Sequence, residues 1–505
     1  MIRAARPSAG STEQRPVSFA ERRFGGLLAA QVAALALLYA AAGVLRHVTY
    51  RSTGFDLGIF DQAVWQLGRL EAPASSLKGL PSLFGDHFSP VLVALAPLGA
   101  CDCGPAPLIV AQALLVAASV VPVVLFARPR LGSGGALLLG VAYGLFCGIQ
   151  SAVVFDVHEV AFAPLLIACA ALLADRGQWR RALLCVLALL LVKESLAFLV
   201  LAFGAWFGLQ RRPREALVCV VAGAVWYASV TRHVIPHFAD GKPFTYWSYD
   251  QVGSSPVEAL RNAVLHPLQT AKLFVTPAEK ARTLAILFGA LGFLPLLSID
   301  IVLAVPLLAE RMLSSNPKYW TLQDHYSLTI APVLAIGAAR ALPVVVGVIG
   351  ARWQASRGWR LKPLACAAAA AAGVVSCAAF ALGDLARPGA YEVPAARSGA
   401  AAALALIPPS ASVAATNHLV PHLSQRETVV LFGPRLPRVQ YVVAQTGDPD
   451  PTALFPYGTL AAQRAALRRL RGAYRLVRSA GGVQLWQRRP VRQPRSRAAA
   501  NGAAR

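Results

Sequence analysis

The run LLAAQVAALALLYAAAGVL (27–45) is 19 residues long and carries no charge. As a helix it measures about 28 Å, close to the hydrocarbon thickness of a bilayer. Arg22 and Arg23 precede it and no small-residue cleavage site follows. It therefore reads as an uncleaved first span with the N-terminus inside. Further apolar runs fall at 106–127, 133–150, 160–174, 182–192, 195–209, 215–231, 282–297, 299–309, 327–349 and 363–382. Taken together they predict an α-helical polytopic membrane protein of about eleven transmembrane helices.

Composition agrees with that class. Of 505 residues, 56% are hydrophobic and only 14% charged, and the mean hydropathy is +0.53. Soluble chains carry about 25% charged residues, so an ordinary soluble enzyme is excluded. The 48 Lys and Arg against 24 Asp and Glu give a net charge of +24. These basic residues cluster between the apolar runs, at RPR (128–130), DRGQWRR (175–181), RRPR (211–214) and ARWQASRGWRLK (351–362). All four fall on the inside of the predicted topology, as the positive-inside rule requires. No basic patch interleaved with aromatics suggests a nucleic-acid groove, and no nucleic-acid partner is expected.

Two runs, 182–192 and 299–309, are too short to span and read as half-helices or tilted segments. The stretch 88–99, between Pro90 and Pro97, reads as a re-entrant or interfacial piece. Residues 1–26 form a predicted disordered cytoplasmic tail and 27–382 the multi-span domain, with a long first external loop at 46–105. From 383 to 487, short β-rich runs such as TVVLF and VQYVVA predict a small external α/β domain. The Arg/Pro/Ala-rich segment 488–505 is a predicted disordered basic tail. Six cysteines lie in apolar runs as small hydrophobes, while Cys101 and Cys103 carry no assignment.

Charged residues are scarce, so their clustering is informative. FDLGIFDQAVWQL (55–67), GDHFSPVL (85–92), FDVHEVAFAP (155–164), LLVKESLAFLV (190–200) and LQDHYS (322–327) all fall at the outer ends of predicted helices. A carboxylate at an apolar boundary can have its pKa raised and act as a base, or ligand a cation. Asp56 and Asp61 are the leading candidates. The plainer reading is that Asp56 caps a helix beginning at Leu57 and Asp61 sits on its solvated face. Asp86 before His87 also fits a cap, with His87 free to donate to a phosphate oxygen.

Asp156, His158 and Glu159 are either a solvated turn or a substrate-facing cluster. Lys193 and Glu194 interrupt a long apolar run, each at a cost of about 2.5–3.5 kcal/mol if deep. Adjacent helix positions do not face each other, so each needs its own partner, unless both are wetted at a shallow hairpin turn. His233, His237, Tyr246, Trp247 and Tyr249 read as an interfacial aromatic belt. No P-loop, HExxH, GxSxG or dinucleotide-binding glycine pattern is present.

FDLGIFDQAVW, GDHFSPVL, FDVHEVAFAP, KESLAF and DHYS, taken in that order, resemble the DUF2079 family of bacterial predicted membrane proteins. ASVAATNHLVPHLSQRETVVLF (411–432) is similar to that family's C-terminal part. The family is in turn similar to the GT-C superfamily of polytopic membrane glycosyltransferases. The resemblance implies a bacterial inner-membrane protein, with its C-terminal domain outside. Its implied partners are a polyprenyl-phosphate sugar donor and an envelope acceptor on the outer face.

It also implies a catalytic carboxylate just after the first span, matching Asp56, with Asp61 second. Substrate-binding candidates are His87, His158, Glu159, Lys193, Glu194, His325 and Tyr326. The first loop lacks the contiguous Asp-Asp or Asp-Glu pair of better-known members. Metal ligands stay unassigned, and a divalent cation is the one cofactor the chemistry invites, because a departing phosphate needs cationic stabilisation. A transporter or flippase, and an envelope scaffold, are the alternatives from other functional classes.

Overall fold

The computed structural model describes residues 19–352 and 358–490. The helix α1 (Phe19–Val48) holds the predicted first span. It starts at Phe19, so the end of the predicted 1–26 tail is already helical, while 1–18 lie outside the described residues. The predicted basic tail from 488 meets the last strand at Arg488, and 491–505 lie outside the described residues.

Every apolar run in the sequence is met by helix. The first loop holds α2 (Ile59–Leu67). Beyond it, α3 (Ala106–Ala118) and α4 (Val120–Gly144) are apolar, and the chain folds back at Gly132, so that Ser119 and Tyr143, 24 residues apart, are hydrogen-bonded at 2.7 Å. Gly132 makes that turn with φ 75° and ψ 169°, a conformation open to a residue without Cβ. The RPR cluster stands just before this break, and Arg130 pairs with Asp175 at the next basic loop. The chain continues through α5 (Cys147–Val154), α6 (Ala163–Asp175), α7 (Trp179–Ala188), α8 (Ala197–Leu209) and α9 (Pro213–Ser229). After them come α10 (Ala278–Gly289), α11 (Ile301–Met312), α12 (Ile330–Arg352) and α13 (Gly358–Ser376).

By length and apolarity, four helices among the described residues can cross a membrane: Ala20–Val48, Ala106–Gly144, Pro213–Phe238 and Ile330–Ile349. The short runs behave as predicted from length. The first, 182–192, ends at Lys193, whose extended backbone (φ −161°, ψ 143°) breaks the helix before Glu194. The second is α11, 12 residues long. The stretch between Pro90 and Gly99 is two short helical turns, the first of them 3-10.

One continuous apolar core joins α1 to α12, with Tyr39, Tyr143, Phe126, Phe203 and Trp206 fully buried. Inside it the Trp206 indole donates to Asp300 at 2.9 Å, and Arg340 pairs with the same carboxylate at 2.7 Å. Asp300 is fully buried, and the two donors offset the cost of burying its charge.

The C-terminal part builds a mixed five-stranded sheet in the order β2-β1-β3-β5-β4. The strands are β1 (Val413–Ala415), β2 (Val429–Leu431), β3 (Tyr441–Gln445), β4 (Tyr474–Ala480) and β5 (Val483–Arg488). β1 runs parallel to β2 and β3, and β5 antiparallel to β3 and β4. Alternating side chains feed two apolar clusters, one on each face. The helix α14 (Leu460–Ala473) covers one face through Ala466, Leu467 and Leu470. The other face takes Leu419 and Val420, with Tyr50 and Leu77 of the first loop packed against it.

Candidate active site

The loop after α1 sets the geometry. Asp56 lies between α1 and α2 with φ 144° and ψ −67°, a backbone conformation that side-chain-bearing residues rarely adopt. It does not cap a helix: α2 begins at Ile59, with Gly58 at its cap position, and no side-chain capping bond forms there. The strain is held by the C-terminal part of the chain. Asn417 Oδ1 accepts from the Gly54 amide at 3.0 Å and from the Phe55 amide at 3.4 Å, and its own carbonyl accepts from Gly54 at 2.9 Å. Val420 packs so closely on the loop that a Cβ at Gly54 would meet it at 2.6 Å. His418 bonds the Ser52 carbonyl at 2.9 Å, and His422 stacks on His47 at 4.2 Å between ring centroids. On the other side Asp156, 3% exposed, accepts from the Thr53 amide at 2.8 Å and from its hydroxyl.

Asp56 itself is half-buried. Burial pushes its carboxyl up to about 7, the carboxylates of Asp156, Glu159 and Asp324 add to the rise, and Lys193 opposes it. A carboxyl poised near neutrality can take a proton from a hydroxyl. Asp61 does something different. It is 2% exposed and faces the C-terminal part, accepting from Ser424 Oγ at 2.6 Å and Gln425 Nε2 at 3.1 Å. Burial raises its carboxyl to about 6 against those two hydrogen bonds. The structure thus does not bring Asp61 into a joint site with Asp56. The two point to different neighbours, as five residues of separation around a bend permit.

Lys193 and Glu194 each have their own partner, as adjacent positions require. Lys193 Nζ lies 3.1 Å from Glu159 Oε1, and Glu159 Oε2 lies 2.7 Å from His158 Nδ1. These contacts are close but poorly aligned as hydrogen bonds. Burial alone would raise the Glu159 carboxyl, but the charges of His158 and Lys193 outweigh it and hold it well below the usual range. Glu194, 1% exposed, accepts from the Phe88 amide at 3.1 Å and lies 2.6 Å from His87 Nδ1. His158 also stacks on His325 at 3.6 Å, and His325 on Tyr326 at 4.5 Å. Burial, with His158 and Lys193 nearby, pushes the His325 imidazole well below its usual pKa, so it serves as a neutral polar group. Tyr326 lies within Coulombic reach of both Asp56 and Lys193.

The solvated-turn reading of Asp156, His158 and Glu159 fails, because all three are buried. Asp86 is no cap either. It accepts from Tyr246 Oη at 2.5 Å and pairs with Lys78 at 3.0 Å. Tyr246 stacks on His87 at 4.3 Å, so it belongs to this network and not to an aromatic belt. Sequence reasoning missed Lys78, Asn417 and Arg311. Arg311 is 3% exposed and fixes the loop carrying Asp324, His325 and Tyr326, through Tyr319 O at 2.9 Å, Thr321 O at 2.6 Å and Ser327 Oγ at 2.9 Å. The one available signal was the NHLVPH run (417–422), polar residues packed between apolar strands.

Among the described residues no group of three or more His, Cys, Asp or Glu side chains is arranged to hold a metal ion. Glu159 faces Lys193 and His158, and Glu194 faces His87.

Two solved structures are similar to the chain. One is ArnT from Cupriavidus metallidurans bound to undecaprenyl phosphate, 16% identical, with a TM-score of 0.52 over 91% of this chain and 98% of that one. The other is the Archaeoglobus fulgidus oligosaccharyltransferase tethered to an acceptor peptide, 14% identical, with a TM-score of 0.43 over 95% and 75%. The ArnT likeness runs nearly the full length of both chains and bears out, as fold, the resemblance to polytopic GT-C glycosyltransferases. Among curated proteins none is similar enough in sequence to match. The DUF2079 family of predicted membrane proteins matches residues 46–485, and the chain belongs to it.

Proposed function

We propose that this protein transfers a sugar from a polyprenyl-phosphate donor to an envelope acceptor at the outer face of the bacterial inner membrane. In this reading about eleven helices traverse or enter the bilayer within 27–382. The N-terminus lies inside and the sheet-bearing part, 383–487, outside. The acceptor hydroxyl oxygen attacks the anomeric carbon and its proton passes to Asp56. The bond from that carbon to the phosphate oxygen breaks, and the polyprenyl phosphate leaves with the electron pair. Lys193, His87 and His158 stabilise the departing phosphate, the lysine by its charge and the imidazoles as hydrogen-bond donors, while Glu159 and Glu194 hold these side chains in place. His325 and Tyr326 line the same region as hydrogen-bonding partners for the sugar. A divalent cation, if one binds, would supply further stabilisation of the departing phosphate.

The observation that carries the reading is that Asp56, strained and raised towards neutrality, shares one electrostatic neighbourhood with a half-buried Lys193. The lipid phosphate bound to ArnT, a protein of similar fold, supports the donor class.

The test is turnover of radiolabelled polyprenyl-phosphate sugars by purified protein in lipid. Wild type should release polyprenyl phosphate, and Asp56→Asn should do so about 10²–10⁴-fold more slowly. Equal rates would acquit Asp56. No turnover with any donor by a folded wild-type protein would shift the reading to transport or scaffolding.

A further inference from the structure

A cavity of about 290 Å³ opens at the last turn of α1, outside the site just described. Its lining mixes apolar side chains, among them Leu45, Val154 and Leu385, with the guanidinium groups of Arg46, Arg51 and Arg387. One carboxylate, Asp384, lines it, and that group is already paired with Arg387 at 2.7 Å. Arg51 is fixed by the carbonyls of Ala390 at 2.7 Å and Gly389 at 2.8 Å. Arg46 is the exception. Its only ionic contact is Asp156 at 3.9 Å, and its buried Nε has no hydrogen-bond partner among the described residues.

A buried donor without an acceptor is costly, and a guanidinium is suited to phosphate. A cavity lined by both guanidinium groups and apolar side chains, at the end of a membrane helix, fits an amphiphile with an anionic head. We propose that this cavity binds the phosphate-bearing head group of a lipid, with Arg46 as its main cationic contact. Asp156 ties the cavity to the Asp56 loop. One of its oxygens faces Arg46 and the other holds the Thr53 amide and hydroxyl. A phosphate on Arg46 competes with the first contact and leaves the second in place. The proposal rests on the cavity and does not require the transferase reading.

The experiment measures binding of short-chain phosphatidic acid, diacylglycerol and inorganic phosphate to the full-length protein in neutral detergent, by native mass spectrometry. Phosphatidic acid should bind, diacylglycerol and inorganic phosphate far more weakly. Arg46→Gln should weaken phosphatidic acid about tenfold or more, the loss of one charge-assisted hydrogen bond. Leu45→Trp, which leaves the Arg46–Asp156 contact alone and fills the apolar part of the lining, should weaken the lipid as well. Arg130→Gln, at a basic loop that lines neither this cavity nor the candidate active site, should leave it unchanged, which shows that the loss belongs to this cavity and not to charge in general. Wild-type affinity in both Arg46→Gln and Leu45→Trp would overturn the proposal. Inorganic phosphate binding as tightly as the lipid would overturn its lipid part and make this a free-anion site.

Discussion

Asp56 and Glu159 are both acids at the ends of apolar helices, yet the fold treats them in opposite ways. The Glu159 carboxylate lies against a lysine and a histidine, and its carboxyl is held well below the usual range. Asp56 receives no such partner: its backbone is gripped while its side chain is left to burial and to neighbouring carboxylates, which lift it to about 7. The difference separates structural charge from reactive charge. A paired acid fixes geometry, whereas an acid raised by burial stores the capacity to take up a proton near neutral pH.

The comparison breaks most visibly if Glu159 is neutralised. Glu159→Gln leaves the half-buried Lys193 beside an uncharged amide, and breaking a pair of this kind costs up to about 3–5 kcal/mol. Thermal melting in detergent should show a large fall, several times that of Asp56→Asn, which removes no partner. A Glu159→Gln protein that melts with the wild type would mean that the pair contributes nothing and that the contrast drawn here is wrong.

A smaller effect is expected at the grip on the Asp56 loop. Asn417→Ala removes the side-chain acceptor shared by the Gly54 and Phe55 amides, leaving Gly54 only the backbone carbonyl, at a cost of about 1–3 kcal/mol. The expected signature is local: faster amide hydrogen exchange in residues 52–58, with exchange around Lys193 unchanged. If turnover is established, its rate should fall with little change in KM, because the loop positions a base and does not bind the donor. Unchanged exchange in 52–58 would show that Val420 and Asp156 hold the loop without Asn417.

Much of this architecture is legible in the sequence because membrane spans announce themselves. Each apolar run became helix, and the basic clusters at 128–130, 175–181 and 211–214 fell at breaks such as Gly132, while that at 351–362 lies partly outside the described residues. The short 182–192 run ended where the charges of Lys193 and Glu194 interrupt it. The polar residues of the candidate site were legible as residues, since charge is scarce enough in this chain to draw attention. Their partners were not. Pairings such as Lys193 with Glu159, or Asn417 with Gly54, join positions far apart in the chain, and no local periodicity encodes them. The cap readings of Asp56 and Asp86 failed for a related reason. Caps are local rules, and here contacts from Asn417 and Tyr246 override them.

The finest separation between the two acids is by pH. If Asp56 is the base, it works deprotonated, so turnover should fall about tenfold for each pH unit below about 7 and level off above it. Glu159 stays ionised throughout that range, so its contribution to stability should be constant there. Because its folded pKa is depressed, that contribution is present above the ordinary glutamate value and is lost only as pH falls through the lower folded one. Asp56 has the opposite sign. Its raised pKa makes the folded state bind the extra proton between the ordinary aspartate value and about 7, so its effect on stability is a gradual loss as pH rises through that window. Rate and stability should therefore move in opposite directions between pH 5 and 7. Asp56→Asn should flatten the pH dependence of stability and leave the acid-side loss intact. A pH–rate profile whose fall begins only near pH 4 would place the working carboxylate elsewhere, on a group whose charge is already fixed by a partner.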